Sequence, residues 1–105
     1  DALADYRRCW RQPDAIAGMC NDYRAALDID LQHDAADLGR RVACPSLVAW
    51  GADGAMQAHY DVAAAWADRL ADMQTRAMPG GHFFPDLHPE ETTRLLSDFL
   101  AAQLG

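Results

Sequence analysis

Apolar residues recur along the first forty positions at helical spacing. Leu3, Tyr6 and Trp10 stand at i, i+3 and i+7, which predicts an amphipathic helix. Pro13 ends it near Gln12, because proline drives the preceding residue out of the helical region. Pro13 and Asp14 then suit the start of a second helix. There Ile16, Met19, Cys20, Tyr23 and Leu27 form one stripe, while Asn21, Asp22 and Arg24 fall on the other side. Residues 28–40, DIDLQHDAADLGR, set Ile29, Leu31 and Leu38 among acidic residues and predict a short helix ending near Gly39.

The pattern changes at Val42. VACPSLVAWG, residues 42–51, is a short apolar run with a proline at its entry and a glycine at its exit, the pattern of a strand buried on both faces. The loop ADGAMQAHY follows. Asp61 is placed to cap a helix whose apolar face is Val62, Ala65, Trp66 and Leu70, running to about Ala71. Residues 73–78 alternate and predict a second strand. After the turn-rich PGGHFFPDLHPEE comes a last helix, with Pro89 near its first position, Glu90 and Glu91 in its first turn, and Leu95, Leu96, Phe99 and Leu100 on its buried face. From Val42 onward the order is βαβα, which implies two parallel strands joined by a right-handed crossover. Two such strands do not make a stable sheet alone, so the pattern is that of the end of a larger α/β domain.

Composition narrows the function classes. A chain of 105 residues buries roughly 60 to 70% of its unfolded surface, enough for one modest core. Net charge is −7, and the nine cations are all arginine and scattered, which argues against nucleic acid as a partner. No run of eighteen apolar residues offers a membrane span, and the opening residues lack the order of a signal peptide. Cys9, Cys20 and Cys44 are odd in number and show no CxxC spacing. They read as small reduced core residues of a cytoplasmic protein.

The segment MPGGHFFP, residues 78–85, holds the most informative chemistry. Paired glycines free the backbone to present His82 at the carboxyl end of the sheet, where open α/β folds place their ligands. His82 can then serve as a general base; the alternative is a histidine packed beside Phe83 and Phe84 in a tight turn. Gly51-x-Asp53-x-Ala55 imitates a nucleophile elbow. However, only 29 positions separate Asp53 from His82 and the next helix begins late, so Asp53 reads as a loop residue. Ser46 lies within a strand and Ser97 within a helix, with no base adjacent in sequence. His82 and His88 are six apart, and His33 and His59 lie elsewhere, so no spacing preforms a metal site and none is expected.

PSLVAWG, a helix, a strand ending in MPGGHF and a closing amphipathic helix resemble the last strands and helices of the α/β-hydrolase fold, with His82 at the position of its catalytic histidine. The upstream CNDYRAALDIDLQHDAAD is similar to the final cap helices of haloacetate dehalogenases. The resemblance covers about residues 3–102. It implies a C-terminal part of that fold: residues 1–41 as the last helices of a cap, and residues 42–105 as the terminal βαβα unit of the core. It further implies that an Asp nucleophile attacks the halogen-bearing carbon of a 2-haloacid to form an ester, and that His82 activates the water that hydrolyses it. Tyr23 matches a cap tyrosine that donates a hydrogen bond to the departing halide. The stripe it shares with Ile16, Cys20 and Leu27 predicts an inward hydroxyl; a structural tyrosine bonded to a backbone carbonyl is the alternative.

Many α/β hydrolases carry the triad acid three residues after the glycine of WG, and here that position is Gly54. This departure favours the dehalogenase type over an epoxide hydrolase or esterase, provided Asp53 does not serve from one position earlier. By the same resemblance the nucleophile, oxyanion hole and triad acid belong to sequence before Asp1, in a protein of about 300 residues. The 105 residues alone are therefore expected to be inactive. A small haloacid and halide are the implied ligands, with no cofactor and no metal. The expected macromolecular partner is the missing N-terminal part or a second copy, and the remaining alternative is a non-catalytic interaction module built on the stub's open strand edge.

Overall fold

A computed structural model describes residues 2–104, which divide into two compact units with the boundary between Gly39 and Arg40. The first is helical: α1 (Ala2–Trp10), α2 (Pro13–Ala26) and α3 (Ile29–Ala36). Tyr6 and Trp10, one turn apart, stack their rings at 6.0 Å. Pro13 occupies the first turn of α2, where its missing N–H removes nothing from the helix. The α3 helix stops three residues short of Gly39. Its end is made by the Asp37 amide turning back to the His33 and Asp34 carbonyls, without a left-handed glycine.

The second unit contains β1 (Val42–Gly51), α4 (Ala55–His59), α5 (Val62–Ala67), β2 (Leu70–Met78), α6 (Phe84–Leu87) and α7 (Pro89–Leu104). Its two strands pair in parallel, with Leu47 opposite Gln74 and Gly51 opposite Met78. The register slips between Val42 and Pro45, where proline has no N–H to give to the ladder.

Several expectations need correction. Helix α5 ends at Ala67 and not near Ala71, and Leu70 opens β2 instead of extending the helix face. Tertiary bonds decide this. The Arg41 guanidinium donates to the Ala67 carbonyl at 2.8 Å and to the Leu70 carbonyl at 2.6 Å, while the Val42 amide pairs with the Arg69 carbonyl. The segments taken as loops contain α4 and α6, each too short to show a period. The β1 strand is not buried on both faces: residues 42–45 are exposed and 46–50 half-buried. On α7, Leu95 and Phe99 are half-buried but Leu96 and Leu100 are exposed. Cys9, Cys20 and Cys44 are free and exposed, so they are not core residues of these units.

One expected cap is present. The Asp61 carboxylate accepts from the Ala64 amide at 2.9 Å at the start of α5. Its removal in Asp61→Ala should cost about 1 kcal/mol locally, seen as roughly fivefold faster hydrogen exchange at the Ala64 amide.

The core is slight. Among the described residues only Leu70 and Met78 are buried apolar side chains. The accessible surface is 8248 Å². Two separate compact globules of 39 and 66 residues would together expose about 7,000 Å², so roughly 1,200 Å² of additional surface is uncovered even with the units counted apart. No helix among the described residues is long and apolar enough to cross a membrane.

Candidate active site

Because β1 and β2 are parallel, both carboxyl ends lie at one edge, and the chain leaves them through adjacent loops. Backbone bonds join these loops. The Ala52 amide donates to the Met78 carbonyl at 2.7 Å and the Asp53 amide to the Gly80 carbonyl at 3.0 Å. The approach is close enough to demand glycine: a Cβ on Gly51 would lie 2.6 Å from the Gly80 carbonyl oxygen, and nearer still to that of Gly81. Gly80 takes φ +87°, which L side chains rarely adopt, and this turn delivers His82.

His82 lines a hollow of about 380 Å³ with residues from the end of β1 (Ala49, Trp50, Gly51), from Gly54, Ala55 and Met56, and with Phe84. Its imidazole is exposed and meets the Phe83 ring edge-to-face at 4.9 Å. The aromatic neighbour expected for a packed histidine is thus present, yet the residue also lines the hollow at the carboxyl edge of the sheet. Neither ring nitrogen is hydrogen-bonded among the described residues, so no group there selects its tautomer. At the rim, the Trp50 indole donates to the Gln57 side-chain oxygen.

None of the other sequence candidates pairs its side chain with His82 among the described residues. Asp53 contributes its amide to the loop junction, while its carboxylate makes no ion pair with His82. Ser46 donates to the Cys44 carbonyl at 3.0 Å, a local turn of strand. It borders a larger hollow of about 480 Å³ along the sheet face, lined otherwise by apolar residues such as Leu47, Val48 and Trp66 and containing no titratable side chain. Among the described residues no three histidine, cysteine, aspartate or glutamate side chains cluster as metal ligands.

Tyr23 lies on α2, in the first unit. It is 78% exposed, and its hydroxyl makes no hydrogen bond among the described residues. The inward hydroxyl predicted from the helix stripe is therefore not formed within this unit, and neither is the backbone-bonded alternative. The reason is general to the segment: the first unit buries no large side chain against which the stripe could close.

Two features escape the sequence. The fit of Gly51 against Gly80 and Gly81 depends on strand register, which no local pattern states. His88, half-buried at the end of α6, lies against Gly80 and 3.7 Å from the Glu91 carboxylate; the only local sign of it is a histidine just before the helix-opening Pro89.

No protein-family model matches the chain. It is 48% identical over 101 residues to fluoroacetate dehalogenase from Burkholderia sp, covering 96% of this chain and 33% of that enzyme. Among solved structures, a Salmonella enterica protein provisionally described as an acyltransferase superposes with a TM-score of 0.86 at 38% identity, over 96% of this chain and 34% of its own. A protein of Nostoc sp PCC 7120, provisionally described as an α/β hydrolase, gives 0.87 at 46% identity, over 94% and 34%. The chain thus spans about one third of the length of these relatives. With two parallel strands, their helices and a histidine loop at the carboxyl edge, the chain has the fold of a C-terminal portion of an α/β hydrolase and is similar in sequence to the C-terminal third of fluoroacetate dehalogenase.

Proposed function

We propose that this chain supplies the histidine base, and a tyrosine that contacts the leaving halide, of a hydrolase acting on 2-haloacids such as fluoroacetate. The observation that carries this reading is the delivery of His82 by a glycine-locked loop to a hollow at the carboxyl edge of the sheet, in a chain 48% identical to a fluoroacetate dehalogenase. The nucleophile, an aspartate, lies outside the 105 residues, so the chain alone is inactive. Residues 1–41 belong to the cap and residues 42–105 to the catalytic core.

The reaction has two steps. The aspartate carboxylate attacks the carbon bearing the halogen, forming an ester as the carbon–halogen bond breaks and halide departs. His82 then takes a proton from water as it adds to the ester carbonyl and passes it to the departing alkoxide oxygen, which releases the hydroxyacid; the aspartic acid left behind loses the water's second proton and is again a carboxylate. The Tyr23 hydroxyl donates a hydrogen bond to the departing halide. Fluoride, the poorest leaving group and the strongest hydrogen-bond acceptor of the halides, gains most from this. The acid that orients His82 also comes from outside the chain, in keeping with an imidazole that has no hydrogen-bonded partner in its own unit.

The test joins this chain to the part of the Burkholderia enzyme that it does not match, and supplies fluoroacetate, an epoxide and a nitrophenyl ester. Fluoride release with little turnover of the other two is the expected result. An epoxide or ester preference would instead favour the alternative hydrolase readings, in which Asp53 would have to supply the acid from one position before Gly54. Tyr23→Phe should lower fluoroacetate turnover by about 10- to 100-fold, the loss of one hydrogen bond to a charged group. Chloroacetate should suffer less, and equal losses on both would remove the halide role.

A further inference from the structure

We infer that His88 is a positioning residue for His82, its imidazole backing the bare Gly80 of the glycine pair while its backbone ties that pair to α7. This rests on the reading of His82 as the base. A methyl group at Gly80 would lie 3.2 Å from His88 Nε2 and 3.3 Å from Cδ2, so the ring edge occupies the space a side chain would need. Gly80 is also the described residue with positive φ, and it stands two positions before His82. The imidazole therefore packs on the point where the loop turns.

A relay of backbone bonds continues from there. The Gly81 carbonyl accepts from the Phe84 amide at 3.1 Å, the Phe84 carbonyl from the His88 amide at 2.8 Å, and the His88 carbonyl from the Thr92 amide at 3.0 Å. The Thr92 hydroxyl adds a second bond to the same carbonyl at 2.9 Å. On its other side, His88 Nδ1 stands 3.7 Å from Glu91 Oε2, an ion-pair separation longer than a hydrogen bond. His88 is thus held through its own amide and carbonyl and flanked by a carboxylate in the first turn of α7. Its ring transmits that placement to Gly80 and so to His82. His82 needs such support because its only ring contact among the described residues, with Phe83, comes from its neighbour in the same loop. A base 1 Å out of place loses roughly a hundredfold in rate.

The test is histidine-ring NMR of the 105-residue chain with His88→Ala and His88→Gln. In His88→Ala the cross-peak between the His82 and Phe83 rings should be lost and the His82 ring signals should shift, while the His33 and His59 signals stay in place. His88→Gln, which keeps a polar group near Gly80, should recover part of the cross-peak. If His88→Ala does not fold, His88→Gln alone decides, with a shifted His82 ring expected. Unchanged His82 signals in folded His88→Ala, or in His88→Gln where the alanine variant does not fold, would overturn the proposal even with a displaced Gly80 amide. This readout needs no activity and so stands apart from the functional reading. In the joined enzyme, His88→Ala should lower kcat roughly 10- to 100-fold with KM unchanged. If His82→Ala leaves kcat intact there, the functional reading fails while the NMR result remains.

Discussion

Replacing His82 by alanine in the joined enzyme should convert steady fluoride release into a single burst. In the proposed mechanism, displacement of halide requires only the aspartate carboxylate and the groups that receive the leaving ion. Hydrolysis of the resulting ester requires a base on the water, and His82 is the one imidazole that the described structure presents to the hollow at the sheet edge. The variant should therefore release about one fluoride per active site and then stall, with turnover down by about 10²- to 10⁴-fold, the range of general base catalysis. A fluoride electrode and a mass spectrum of the protein measure both parts. The mass should rise by the acid moiety bound as an ester. Steady turnover at the parent rate would show that His82 is not the base.

Gly51→Ala should have the largest effect on stability. The added methyl would meet the carbonyl oxygens of Gly80 and Gly81, which are backbone atoms and cannot rotate away. Relief requires the two loops to separate, breaking the bonds from Ala52 to Met78 and from Asp53 to Gly80. Overpacking and two lost hydrogen bonds together cost about 3 kcal/mol or more. The thermal midpoint of the joined enzyme should fall by several degrees, and activity should fall with it because the same loop carries His82. Gly54→Ala is the internal comparison: its methyl would stand 3.2 Å from the Gly51 carbonyl oxygen, a contact that a small shift relieves. Gly18→Ala, with nothing within 4 Å, should leave the midpoint unchanged or slightly raised. Equal midpoints for Gly51→Ala and Gly18→Ala would refute the close approach of the loops.

The long elements were legible because they have a period. Leu3, Tyr6 and Trp10 mark α1, the stripe from Ile16 to Leu27 marks α2, and the VACPSLVAWG run marks β1 within its observed bounds. Periodicity misled at Leu70, which continues the spacing of Trp66 by four and so reads as helix. Pairing with Val42 and the guanidinium of Arg41 assign it to the strand. Helices of four and five residues, such as α6 and α4, are too short to show a period at all. The placement of His82 beyond the carboxyl end of β2 was legible because a Gly-Gly-His follows a strand. The roles of Gly51 and His88 were not, because both depend on which residues the parallel register brings together.

The burial expected from the apolar stripes was the least accurate part, for a physical reason. Leu3, Tyr6, Ile16, Met19, Tyr23 and Leu27 keep helical spacing but remain 44 to 81% exposed. Trp66, Leu96 and Leu100 of the second unit are likewise about half exposed. A stripe states which side of a helix is apolar and says nothing of whether a partner surface lies in the same 105 residues. The uncovered apolar area fits a chain that matches one third of its relatives' length.

Fluoride release by the 105-residue chain alone, measured beside the joined enzyme at equal concentration, tests the central claim most directly. On the proposed reading the chain alone should give no release above buffer, and joining it to the part of the Burkholderia enzyme that it does not match should restore release. Release by the chain alone that disappears in His82→Ala would contradict the account, because the nucleophile would then have to lie within these residues.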